Sequence, residues 1–290
     1  MASVTDEDST VGGWNFQSAA KETAATTDLR TDAPNSARMY DYYLGGKDNF
    51  PADREAAEQV LAAFPQAWTV AHENRGFLRR ATRFLAAEAG IRQFLDIGTG
   101  IPTSPNLHEI AQSVAPDTRV VYADNDPVVL AHARALLTTS PEGATAYLDA
   151  DLRDPEKILG SAEVRATVDL SRQVGLSLIA ILHFLLDDHD PYGIVKTLLD
   201  ALPAGSFLAL THATADFAPA EADRAAAIYR DRGIPAQARS RAEVERFFTG
   251  LDLVDPGVVV AHRWHPDAPN TAGDPTDAEV SCYAAIARKP

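Results

Sequence analysis

The chain has 290 residues, 46% hydrophobic and 23% charged, which is enough to bury one main core with decorations. Its formal charge of −15 repels a polyphosphate backbone, which argues against bulk nucleic-acid binding. The single cysteine, Cys282, excludes an internal disulfide and a multi-cysteine zinc site and fits a cytoplasmic setting, and the longest apolar run, Val174 to Leu186, is too short for a membrane span of about 20 residues.

Residues 1–35 are rich in Ser, Thr, Ala, Asp and Glu without apolar periodicity and read as a disordered leader, not a secretory signal. Order is expected to begin with Ala37-Arg38-Met39-Tyr40-Asp41-Tyr42-Tyr43-Leu44, followed by Gly45-Gly46-Lys47-Asp48-Asn49-Phe50-Pro51. Two readings fit this block: a helix docked on the core and ended by glycine, or a lid whose tyrosines cover a ligand while Lys47 faces a carboxylate. It is not a P-loop, because Asp48 stands where Ser or Thr is required. A helix through Val60, Leu61 and Phe64 and another over Gln66 to Ala89, stopped by Gly90, complete a helical lid segment at 36–90, ahead of a core at 91–290. Arg75, Arg79 and Arg83 share one face of the second helix, either a solvated face or an anion contact.

Phe94-Leu95-Asp96-Ile97 reads as a buried parallel strand that opens into Gly98-Thr99-Gly100, two glycines that let the backbone pass close to a ligand. A helix is expected from Ser104 to Val114 with Pro105 in its first turn. Asp96 at the strand end would repel a pyrophosphate seated on that helix and would favour a cationic ligand. Thr103 also stands where a dinucleotide fingerprint needs its third glycine, so a nicotinamide oxidoreductase is the weaker reading. The second strand, Arg119 to Asp124, ends in a carboxylate suited to a ribose diol. Thr145 to Asp149 repeats the pattern with Asp151 behind it, while Asp154 ahead of Pro155 reads as a helix cap. The fourth strand is expected over Leu176 to Leu182, delivering His183 to the rim, either as a functional group or as a satisfied core histidine. The fifth, Ser206 to Leu210, delivers His212. Helices over Glu221 to Arg230 and Arg241 to Phe248 shape the pocket, and Leu251 to Ala261 with Glu279 to Ala287 form an antiparallel pair closing the sheet. The spacing of His262 and His265 sends them to opposite faces of a strand, so no metal site is expected.

The Asp-x-Gly-x-Gly turn with its downstream acids resembles class I S-adenosylmethionine (SAM) methyltransferases. With the Tyr40 to Phe50 block it is similar to a bacterial S-adenosyl methyltransferase family that brings no established substrate. The resemblance implies an α/β fold: a Rossmann-like seven-stranded sheet in order 3-2-1-4-5-7-6, its last strand antiparallel, flanked by helices and topped by the lid. It implies SAM as cofactor, with Asp96, Gly98, Thr99 and Gly100 at the amino-acid part, Asp124 at the ribose, and Asn125, Asp151 and Leu152 at the adenine. Leu182 and, from the lid, Tyr43, Gly45 and Lys47 complete the set, and His183 is the catalytic candidate that orients or deprotonates an oxygen or nitrogen nucleophile. Pro102 departs from the small residue common at that place and stiffens the turn. A small-molecule acceptor is expected ahead of a protein, with neither nucleic acid nor membrane as partner. The composition does not choose an oligomeric state. A SAM-sensing protein without catalysis is the alternative.

Overall fold

The computed structural model describes residues 29–136, 139–268 and 273–290, so most of the expected leader lies outside the described residues. Its last residues are tied down: the Arg38 guanidinium donates to the carbonyls of Leu29, Arg30 and Ala33 at 3.0, 3.2 and 2.7 Å.

Three helices precede the sheet. The first, α1 (Ser36–Tyr43), starts where the Asn35 side chain accepts the Ala37 N–H. The second, α2 (Pro51–Ala63), has proline in its first turn and Asp53 accepting the Phe50 N–H, and α3 (Ala67–Ala87) follows. Then β1 (Gln93–Ile97), α4 (Leu107–Val114), β2 (Arg119–Asp124), α5 (Pro127–Leu136) and β3 (Ala144–Asp149) alternate as parallel-sheet units. They continue through α6 (Pro155–Leu159), α7 (Ala162–Thr167), β4 (Gly175–Leu178), α8 (Pro191–Asp200) and β5 (Phe207–Ala213). The chain ends with α9 (Pro219–Asp231), α10 (Arg241–Glu245), β6 (Asp252–Leu253), β7 (Val259–Val260), α11 (Asp277–Val280) and β8 (Cys282–Arg288).

The sheet runs β3-β2-β1-β4-β5-β8-β6, with β7 also on β8. Strands β1 to β5 are parallel, and β8 is antiparallel to its neighbours. This is the expected order with its sixth strand broken in two. The register slips from Leu253↔Ala287 to Val259↔Ala284, because Pro256 has no N–H to give the ladder and Gly257 takes φ +79°.

Other boundaries differ from expectation: the last strand begins at Cys282, not Glu279, because Asp277–Val280 forms a helix capped by Thr276, β5 runs on to Ala213, and two further differences shape the site. The helix after β1 begins at Leu107, not Ser104, since Asn106 and Glu109 form a capping box there. The fourth strand stops at Leu178 instead of reaching Leu182, because Ala180 turns to φ +56° and gives its N–H to the Thr211 hydroxyl at 2.8 Å. Residues Leu182–Phe184 form a single 3-10 turn.

The main core lies between the sheet and its helices, with Leu95, Val121, Leu176 and Leu208 at its centre. A second apolar cluster joins Met39, Tyr43, Val60, Phe64 and Ala71 to Ile234, with Tyr229 of α9 and Phe184 packed against it. The first helices and α9 thus form a separate roof. Among the described residues no helix is long and apolar enough to cross a membrane.

Candidate functional site

A cavity of about 610 Å³ opens at the carboxyl ends of the central strands, between the sheet and the roof. Parallel strands concentrate loops at this end, so each strand delivers its terminal side chain there.

Strand β1 delivers Asp96, which is buried, and burial pushes its pKa up to about 6 against the opposing pull of Ser177 and Arg75. The next turn needs its glycines: Gly98 has φ +77°, and a Cβ there would lie 2.6 Å from the Ile181 side chain. Gly98→Ala is therefore expected to lower stability by about 1–2 kcal/mol from the left-handed backbone alone, before the clash with Ile181 is added. Chemical denaturation checks this, and an unchanged midpoint would show that the turn has room to relax.

Strand β2 delivers Asp124, whose carboxylate accepts the Gly100 and Asp126 N–H groups, both at 2.9 Å. Burial raises its pKa to about 6 as well. Asn125 donates to Asp151 at 3.1 Å, and the Arg153 side chain holds the Asp151 carboxyl down at about 2. Leu152 is buried beside them.

Ten of the thirteen expected site residues line the cavity: Asp96, Gly98, Thr99, Gly100, Asp124, Asn125, Asp151, Leu152, Tyr43 and His183. Three do not. Leu182 is fully buried away from the wall, and Gly45 and Lys47 are exposed outside it. The reason is local. The Asp41 carboxylate takes the Asp48 N–H at 2.9 Å and the Asn49 amide at 2.7 Å, curling the glycine turn onto itself. A Cβ on Gly46 would sit 2.0 Å from that carboxylate. The aromatic block is thus a folded knot that presents Tyr40 and Tyr43 to the cavity and Lys47 to solvent.

His183 sits on the cavity wall with its Nδ1 unpartnered, and burial together with nearby Arg239 lowers its pKa to about 4, so the ring is neutral at pH 7. His212 is the satisfied core histidine: its Nδ1 meets the Ala213 carbonyl at 2.8 Å, its Nε2 accepts from Arg239 at 2.9 Å, and it does not line the cavity. Arg239 is buried and balanced by Asp187 at 2.6 Å.

Several contacts were not signalled by any motif. The Thr211 hydroxyl donates to Asn74 at 2.6 Å, and Asn74 donates to the Tyr40 hydroxyl at 2.7 Å. This chain runs from the Ala180 turn to the roof. Arg75, in the arginine row, donates to the carbonyls of Thr103 and Pro105. Arg38 lies 3.2 Å from Asp53 and 3.7 Å from Asp126, joining the roof to the loop after β2. Its position two residues before Tyr40 was the one available hint. No cluster of metal ligands exists among the described residues.

This sheet order, with paired strand-end acids around a glycine turn, defines a Rossmann-like methyltransferase of the SAM-dependent class. A family profile described as S-adenosyl methyltransferase matches residues 22–290, and the chain belongs to that family. A DUF574 family protein from Streptomyces avermitilis is 54% identical and superposes with a TM-score of 0.88 over 91% of this chain and 100% of its own. A candidate methyltransferase from Thermobifida fusca is 44% identical, with a TM-score of 0.84 over 92% of this chain and 99% of its own. No curated protein matches the sequence. The cofactor of the family is S-adenosylmethionine, and the wall chemistry fits it: carboxylates at the strand ends meet cationic and hydroxyl groups, and the turn glycines leave room for a ligand.

Proposed function

We propose that the chain transfers a methyl group from SAM to a small-molecule acceptor held under the roof. The observation that carries this reading is the sign of the charge at the strand ends, where buried Asp96 and half-buried Asp124 surround the glycine turn. A cation relieves that charge, whereas a pyrophosphate would aggravate it. When bound, the cofactor supplies a methyl group activated by its sulfonium. Asp96 receives the ammonium group of the amino-acid part, the Gly98 and Gly100 backbone lies along it, and Asp124 takes the ribose hydroxyls. Asn125, Asp151 and Leu152 frame the adenine, and Tyr43 helps the roof exclude water. His183, neutral and partly enclosed, accepts a hydrogen bond from the acceptor and holds its nucleophilic atom in place.

The raised carboxylates predict a proton signature. In the free protein Asp96 and Asp124 have pKa values near 6, above the ordinary 3.8, so the native state holds more protons than the unfolded one between those values. Their contribution to the stability of the free protein therefore falls as pH rises through that window. A cation favours the ionised forms, so SAM binding at pH 6 should release protons, and affinity should weaken as pH drops from 7 to 5. Calorimetry in two buffers of different ionisation enthalpy reads this. Proton uptake on binding would contradict the assigned charge pairing.

The reading itself is tested by isothermal titration with SAM and, separately, with NAD, followed by labelled-methyl screening of cell extracts for the acceptor. NAD binding with no SAM binding would end it.

A further inference from the structure

The cavity is divided in chemistry. All of its acidic wall residues, Asp96, Asp124, Asp126 and Asp151, belong to the strand-end half. The half beneath the roof is walled by the second apolar cluster, with Val60, Phe64, Phe184 and Ile234 among its residues.

Several polar side chains of that half are engaged within the protein. The Tyr43 and Tyr229 hydroxyls share a hydrogen bond of 3.2 Å, Asn74 is held by Thr211, and the Gln237 amide donates to Asp187 at 3.0 Å. Among the cations that reach the cavity from the roof helices, Arg232 is paired with Glu55 at 2.7 Å, and the Arg75 guanidinium is taken up by the carbonyls of Thr103 and Pro105. The His183 imidazole also lines this half, and its Nδ1, closed off from solvent, has no partner within the protein. A charged acceptor entering here would lose its hydration and meet only cations already engaged within the protein, whereas an apolar one would gain by burial.

We infer that the acceptor is an uncharged, largely apolar small molecule that presents one hydroxyl or N–H group to His183. This rests on the methyltransferase reading of the same cavity. It makes the roof the specificity element, and it excludes cationic amines and carboxylates as the species bound. Ala225 on α9 lines this half and is half-buried, so a larger side chain there narrows the chamber without displacing a core residue.

The test is calorimetric titration of the full chain, loaded with S-adenosylhomocysteine, against naphthol, methoxynaphthalene, naphthoate and naphthylmethylammonium. Naphthol should bind at least about tenfold more tightly than either charged probe. It should exceed its methyl ether by about fivefold, a preference carried by the donated hydrogen bond. His183→Phe should abolish the preference of naphthol over the ether. Ala225→Phe should weaken naphthol by at least about tenfold while the affinity for S-adenosylhomocysteine holds. Equal or tighter binding of a charged probe, or naphthol binding indifferent to both substitutions, would overturn the inference. Failure to load S-adenosylhomocysteine at all would instead overturn the methyltransferase reading, so the two failures are separable.

Discussion

Arg38→Met is expected to cost about 3–5 kcal/mol of folding stability, the usual penalty for leaving a buried charge without its partner. Arg38 is 2% exposed, Asp53 0% and Asp126 3%, so water cannot replace the lost guanidinium. The same substitution releases the carbonyls of Leu29, Arg30 and Ala33 and frees the Asp126 loop beside Asp124. Urea unfolding measures the cost, and adding Asp53→Asn and Asp126→Asn should restore part of it, because the stranded charges are then gone. A loss below about 1 kcal/mol would mean that the two carboxylates find other support. Arg38→Lys should rescue little, since an ammonium cannot span two carboxylates and three carbonyls together.

The second large effect is on ligand affinity. Asp124→Ala should weaken SAM binding by about 3 kcal/mol, or a hundredfold, the worth of charge-assisted bonds to two hydroxyls. The substitution also removes the acceptor for the Gly100 N–H, so Asp124→Asn is the better control: it keeps a carbonyl oxygen for one hydroxyl and should lose less. Binding that survives both changes within threefold would place the ribose elsewhere on the wall.

The sequence was most informative where one residue type answers one local need. Apolar runs with an acid at or next to their end marked β1 and β2, since a parallel strand buried on both faces has little choice of composition and its end opens on the cavity; at the edge strand β3 the useful signal was Asp151 behind it. The sheet order was legible through resemblance, and the strand-end acids through charge. Less legible were features that depend on partners distant in the chain. The fourth strand looked as though it continued to Leu182 because Ile179, Ile181 and Leu182 are apolar, yet a hydroxyl from β5 captures the Ala180 N–H and turns the chain out of the sheet. Lys47 looked like a ligand group until Asp41 was seen to claim the turn around it. Asn74 and Thr211 are ordinary residues in a helix and a strand, and only the contact between α3 and β5 makes them a relay. His183 and His212 were alike in sequence, each at a strand end, and the guanidinium of Arg239 distinguishes them by satisfying one and not the other.

The position of β8 bears on how the chain is made. It lies between β5 and β6, yet it is made after both of them. A nascent chain therefore carries β5 with an open hydrogen-bonding edge, and with Leu208 and Leu210 near that edge, until synthesis passes residue 288. Such an edge is a template for pairing with other chains. Yield of folded protein should thus depend on translation rate and on chaperones that shield extended segments, more than on the stability of the finished molecule.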